Sequence, residues 1–446
     1  MLILAVIITM VILFAQCMDS RPPATEKTYA GAATCKQCHA AVVESYLQNV
    51  HQQTSAAIEG DQIFNAYKAV SGGAQVSGGA QVSGGDQVLA ASAGHSDPLS
   101  TSSAHPASSF HSNLNSANQS VSDVQAISAD DSDVYDFDMQ TQVVMEKRDG
   151  KMFQVVYQNG KEQAARPFDI RISAGKKAYT YGYWEGNQLR QLPLSYYSTI
   201  HSWANSPGYP SGKVYLDRPI TARCLECHSS FVEAKSVPDG SLKVKEELKQ
   251  TSLIYGIDCE RCHGPAGKHV EFHLDHPGEK AAKYITLYKT LNRQQKTDAC
   301  AVCHSGADTE VQKSTFGFKP GDNLKDYYFK AYGAVAKKTP DVHGNQTTLL
   351  AESKCFINSK TMDCSSCHRT HENLKGNLTA YSQKCISCHA TATIKHSEAT
   401  LANAMVKTNC IDCHMQEQSS NLISFKLAGK EKTSKYFLRT HKIAVY

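Results

Sequence analysis

The pattern Cys-x-x-Cys-His occurs seven times in this 446-residue chain, and six of the seven copies fall between Cys224 and His414. They are CKQCH (Cys35, Cys38, His39), CLECH (Cys224, Cys227, His228), CERCH (Cys259, Cys262, His263) and CAVCH (Cys300, Cys303, His304). CSSCH (Cys364, Cys367, His368), CISCH (Cys385, Cys388, His389) and CIDCH (Cys410, Cys413, His414) complete the set. The segments between the last six are too short to supply a conventional apolar core. Whatever the motifs hold must itself form much of the interior.

The pattern names its ligand. Two thiols three residues apart add to the two vinyl groups of a haem, and the adjacent histidine reaches the iron from one side. Zinc and iron–sulfur sites also use CxxC pairs, but they do not demand histidine as the next residue. Histidine is only 19 of 446 residues, so seven histidines in seven motifs are not accidental. A thioredoxin-like dithiol needs a βαβ context, which these motifs lack. Disulfide-rich secreted domains space their cysteines less regularly. The expectation is seven covalent haem c groups. The expected fold class is a multihaem cytochrome c: mostly short α-helices and loops packed around covalent haems, with a small antiparallel β region.

Seven irons require seven sixth ligands, and these decide between a centre that only passes electrons and one open to a small substrate. Twelve histidines lie outside the motifs. His51, His269, His343, His371, His396 and His441 are the candidates for the far side of an iron, and none is bound to serve the motif nearest in sequence. The turn in HGPAGKH is expected to bring His269 back beside the CERCH haem. The seventh ligand is open among His273, His276 and His201, with His273 taken as the candidate. Met415 directly follows CIDCH, and that adjacency gives it poor reach to the same iron. His95, His105 and His111 lie in a serine-rich stretch and read as surface residues.

Around the motifs the chain divides by composition. Residues 1–17 open with the apolar run MLILAVIITMVILF, shorter than the roughly 20 residues that span a bilayer, and read as a secretory signal. Cys17 follows that run directly, as in a lipoprotein signal, although Gln16 replaces the usual small residue and no Lys or Arg precedes Arg21. Ordinary cleavage nearby, or an uncleaved anchor, are the alternatives. Each puts the body outside the cytoplasm: in the periplasm, attached to the outer membrane, or extracellular. Residues 24–68 carry the first haem segment. Residues 71–130, with the repeat VSGGAQVSGGAQVSGGDQ, form a low-complexity insertion that cannot bury a face. Residues 134–220 are strand-like, with a hairpin expected at Asp149-Gly150, and 221–446 form a six-haem domain. The formal net charge of +4 and the lack of a basic block exclude a nucleic-acid footprint.

Several stretches resemble multihaem cytochromes related to the tetrahaem electron-carrier family of nitrifying bacteria. They are YAGAATCKQCHAAVVESYLQNVH at 29–51, QLPLSYYSTI at 191–200, SPGY at 206–209, RPI at 218–220 and CLECHSS at 224–230. CERCHGPAGKH, SKCFINSKTMDCSSCHRTHE at 353–372, and CIDCHM followed by a distant HK pair extend the likeness. The resemblance implies distal ligation by His51, His269, His371, His396 and His441, with His343 matching a further histidine ahead of CSSCH. It also matches Cys355, which is either a small buried hydrophobe or a partner of Cys17. It implies electron transfer across the periplasm or at the cell surface, with redox proteins as partners and with self-association or a membrane complex as further options. A nitrite or hydroxylamine oxidoreductase with one open iron is the alternative. Nitrite enzymes often carry CxxCK, which is absent here. A subunit of an extracellular cytochrome filament is the third reading.

Overall fold

Strand β3 (Thr141–Arg148) turns into β4 (Lys151–Gln158) through Asp149 and Gly150, both at positive φ (47° and 75°). That is the turn a right-twisted hairpin needs, and Asp-Gly adopts it readily. The next turn repeats the device with Asn159 and Gly160 (φ 50° and 72°), leading into β5 (Lys161–Pro167). With β2 (Val134–Asp136) these strands form an antiparallel sheet in the order β2-β3-β4-β5. Alternate residues of β3 point inward: Val143 and Met145 are buried.

The computed structural model describes residues 29–59, 133–173, 177–210, 212–240, 244–306, 310–328, 340–389, 396–397, 406, 408–428, 430 and 432–446. The leader with Cys17, the 71–130 insertion and His95, His105 and His111 lie outside the described residues.

A second four-stranded sheet has the order β1-β6-β7-β8, from Ser55–Ala57, Ile170–Ile172, Thr180–Glu185 and Gln188–Gln191. Its edge strand β1 comes from the segment just after His51, with Ser55 opposite Ile172. That pairing anchors His51 to a rigid element. The aromatic core between the sheets gathers Tyr135, Phe168, Tyr181, Tyr196 and Trp203. Ring pairs such as Phe168–Tyr181 meet edge-on at 4.8 Å.

The β content reaches further than the sequence suggested. Antiparallel ladders also join Ala234–Pro238 to Val244–Leu248, and Glu417–Phe425 to Ser434–Arg439, inside the six-motif region. Both are short two-stranded ribbons, which the spacing of the motifs masked. The helices are short. The longest described is α1 (Ala32–Leu47), followed here by α2 (Cys259–His263), α3 (Gly267–Asp275), α4 (Arg293–His304) and α5 (Leu378–Cys388). Local caps set their starts. Asn292 and Gln295 form a reciprocal capping box at α4. Asp258 accepts from Arg261 N at α2, and Asn377 from Ala380 N at α5.

Candidate haem-binding centres

Most motifs lie in or at the end of an α-helical turn, while the helix at CLECH ends at Leu225 and CSSCH starts on a 3-10 turn (Cys364–Ser366). Residues i, i+3 and i+4 of a helix share a face, so both thiols and the imidazole of CxxCH project the same way. CERCH is the whole of α2, while CAVCH is the last turn of α4 and CISC the last turn of α5. CKQCH lies within α1, whose helical geometry breaks at His39 (φ −117°, ψ 37°).

Six motif histidines have a second histidine from elsewhere in the chain set against them. Ring centres are 6.1 Å apart for His263–His371, His368–His441, His51–His304 and His396–His414, and 6.4 Å for His39–His269. These gaps are too wide for ring stacking. A metal–imidazole bond of about 2.0–2.1 Å, plus roughly 1.1 Å from nitrogen to ring centre, puts two trans imidazoles about 6.2 Å apart across one ion. In the sixth pair His343 is the largest electrostatic influence on His228 after desolvation.

Every one of these pairs crosses segments. His269 faces His39, not the adjacent CERCH histidine that its turn suggested. His371 faces His263 although it is three residues from His368. His51 faces His304, and His441 faces His368. His273 lies 4.6 Å from His269, on the same helix, and His276 stacks on Phe272 at 4.4 Å. His201 occupies a positive-φ turn (47°) between two strands. His389 is exposed at the end of α5.

In five of these histidines the other ring nitrogen is tethered, while Nδ1 of His228, His396 and His441 is buried without a hydrogen-bond partner among the described residues. Nδ1 of His263 meets Thr286 O at 3.0 Å, His269 meets Lys283 O at 2.8 Å, and His414 meets Ala444 O at 2.8 Å. His51 Nδ1 meets Asn49 Oδ1, and His304 Nδ1 meets Gln346 Oε1, both at 3.1 Å. Donation from Nδ1–H to an oxygen fixes the tautomer and leaves Nε2 bare for a metal. Loss of water around seven of the rings favours their neutral form. It holds His51, His228 and His441 down at about 4, with neighbouring histidines adding to the effect. It also lowers His304, His343, His368 and His371. Neutral imidazole is the metal-binding form.

The thiols show which motifs adjoin. Cys35 contacts Cys259, Cys227 contacts Cys303, Cys300 contacts Cys364, and Cys385 contacts Cys410. Cys262 lies within electrostatic reach of Cys300, and Cys367 of Cys388. CAVCH therefore adjoins CLECH, CERCH and CSSCH at once. Cys355, a free thiol, lies within reach of Cys367 and Cys385.

The chain is similar to known multihaem cytochromes over parts of its length. The family described as cytochrome c554 and c-prime matches residues 200–264, which include both CLECH and CERCH. Multiheme cytochrome MtrA of Shewanella baltica (strain OS185) is 24% identical over 183 residues, covering 37% of this chain and 52% of MtrA. The chain thus spans about half the length of that relative. The crystal structure of outer cell wall cytochrome OcwA aligns over 93% of this chain and 79% of that one, at 15% identity and a TM-score of 0.42.

Over part of its length the chain is similar to multihaem c-type cytochromes. The placement of its apolar side chains is compatible with that likeness. The two large hydrophobic clusters lie in the strand-rich part, around Tyr135–Tyr209 and Ile170–Leu253. The cluster beside CAVCH has only Ala301, Val302, Phe318, Leu324 and Tyr327 at its centre. Sequence inspection did not single out the residues between the cysteines. Glu226 accepts from Ser314 Oγ (2.6 Å), Thr315 N (2.9 Å) and Arg223 Nη1 (2.9 Å). Arg261 donates to Thr315 O (2.7 Å) and Glu226 O (3.2 Å). The variable positions of CLECH and CERCH thus bind the motifs to one another. The available signal was a charge in a slot where residue type is otherwise free.

Proposed function

We propose that this protein carries electrons along a chain of seven haem c groups, outside the cytoplasm, between redox protein partners. The observation that carries the reading is the set of cross-segment histidine pairs at 6.1–6.4 Å, the separation of two imidazoles across one iron. The thiol pairs Cys35/Cys38, Cys224/Cys227, Cys259/Cys262, Cys300/Cys303, Cys364/Cys367, Cys385/Cys388 and Cys410/Cys413 would hold the seven groups covalently. His39–His269, His228–His343, His263–His371, His304–His51, His368–His441 and His414–His396 would supply both axial ligands to six of them.

When bound, haem c takes up or releases a single electron at its iron. The protein's part is to fix position and environment. The tethered Nδ1 atoms of His51, His263, His269, His304 and His414 would leave Nε2 free for the iron, and desolvation favours the neutral form of His51, His228, His304, His343, His368, His371 and His441. Two histidines on one iron would leave no site for a substrate at the six paired motifs, which favours a carrier; a nitrite or hydroxylamine enzyme would have to use CISCH, whose His389 is exposed. The adjoining thiols give the order CKQCH, CERCH, CAVCH, CSSCH, CISCH, CIDCH, with CLECH as a side branch at CAVCH.

The decisive experiment is the intact mass of the mature protein with electron paramagnetic resonance of its oxidised form. Seven additions of about 616 Da each, surviving denaturation because thioether bonds do, are expected, with at least six low-spin irons. Fewer additions, or a majority of high-spin iron, would overturn the reading. The same mass reports cleavage near Cys17 and any lipid on it.

A further inference from the structure

Glu260, the first variable residue of CERCH, is only 5% exposed. Its Oε1 accepts from Ala30 N (2.9 Å) and Ala266 N (2.8 Å), and its Oε2 accepts from Gly31 N (2.9 Å). Gly31 is the N-cap of α1, and it has no side chain with which to cap that helix. The cap function is supplied by a carboxylate more than two hundred residues away, at the positive end of the helix dipole. The same carboxylate neighbours the contact between Cys35 and Cys259, the thiols of CKQCH and CERCH. Its three partners are backbone N–H groups, which neutralise less charge than a cation does. Glu226, the corresponding buried acid of CLECH, has Arg223 at 2.9 Å.

We propose that Glu260 is a positioning residue that locks the CKQCH helix onto the CERCH helix, and that its charge lowers the reduction potential of both centres. The clamp follows from the hydrogen bonds. The effect on potential follows from Coulomb's law, because a nearby fixed anion opposes uptake of an electron, and a poorly solvated site screens it weakly. Electrons entering at the CKQCH end would then run toward higher potential. The inference rests on the haem reading above.

The test uses the intact cytochrome, with the parent's mass measured first. A parent with fewer than seven haems sinks the haem reading itself, before any variant is made. Glu260→Gln and Glu260→Asp are then titrated potentiometrically with spectroscopic readout. In Glu260→Gln two of the seven couples are expected to rise, each by about a tenfold change in oxidised-to-reduced ratio at fixed potential, about 59 mV for one electron. Glu260→Asp keeps the charge and is expected to stay within threefold of the parent. No shift in Glu260→Gln at full haem content, or equal shifts in both variants, overturns the proposal. Loss of haem in both variants would mean that the carboxylate serves assembly alone, and overturns it too.

Discussion

The cross-chain pairing of His51 with His304 can be tested by counting irons. The rings are 6.1 Å apart and nearly perpendicular, at 88°. Subtracting roughly 1.1 Å from each end leaves each nitrogen about 2.0 Å from the midpoint, a metal–imidazole bond length. His51→Ala should open one coordination position, so about one-seventh of the iron turns high-spin and one equivalent of carbon monoxide binds after reduction. His304→Ala should do the same, with its haem still held by Cys300 and Cys303. The double variant carries the argument. If both residues serve one iron, it still shows a single perturbed iron, a complete failure of additivity. Two perturbed irons in the double variant, or none in His51→Ala, would refute the pairing.

Three further outcomes are expected. His51, His228 and His441 are held at about 4 when folded, chiefly by desolvation, against about 6.5 unfolded. The unfolded chain therefore takes protons first, and stability present above about pH 6.5 should fall toward pH 4. Thermal melts followed at the haem bands check this, and a melting temperature that rises on acidification contradicts it. Gly256 has φ +68°, and a β-carbon there would lie 2.0 Å from Gln52 O. Gly256→Ala should cost about 2–4 kcal/mol and disturb His51, whose carbonyl accepts from Ile257 N at 2.9 Å; an unchanged denaturation midpoint would count against this. Deleting 71–130 should leave the haem count and low-spin spectrum intact, because that composition cannot bury a face. A new high-spin iron would instead assign His95, His105 or His111 as a ligand.

The seven CxxCH motifs were legible in the sequence because the pattern is local, complete within five residues. The Asp149-Gly150 hairpin was equally legible, since two adjacent residues dictate the turn. The pairing of His39 with His269, or His263 with His371, was not. It depends on how α1 and α2 dock, and that docking runs through Glu260, whose role shows only once it is buried. The ribbon Glu417–Phe425 with Ser434–Arg439, just beyond the last motif, was missed because its pairing is irregular, with the register broken between Ser419 and Ser424.

The crossed histidine pairs also bear on assembly. As the chain emerges N-terminus first, His39 must wait for His269, and His228 for His343. His304 and His414 find His51 and His396 already present. His368 is the last of the six to be matched, because His441 is the latest of the partner histidines in sequence. Until His441 arrives, CSSCH would offer its centre one histidine and an open face. That centre lies in the middle of the proposed row, so a variant lacking His441 would be reactive toward small ligands at CSSCH where the parent would not.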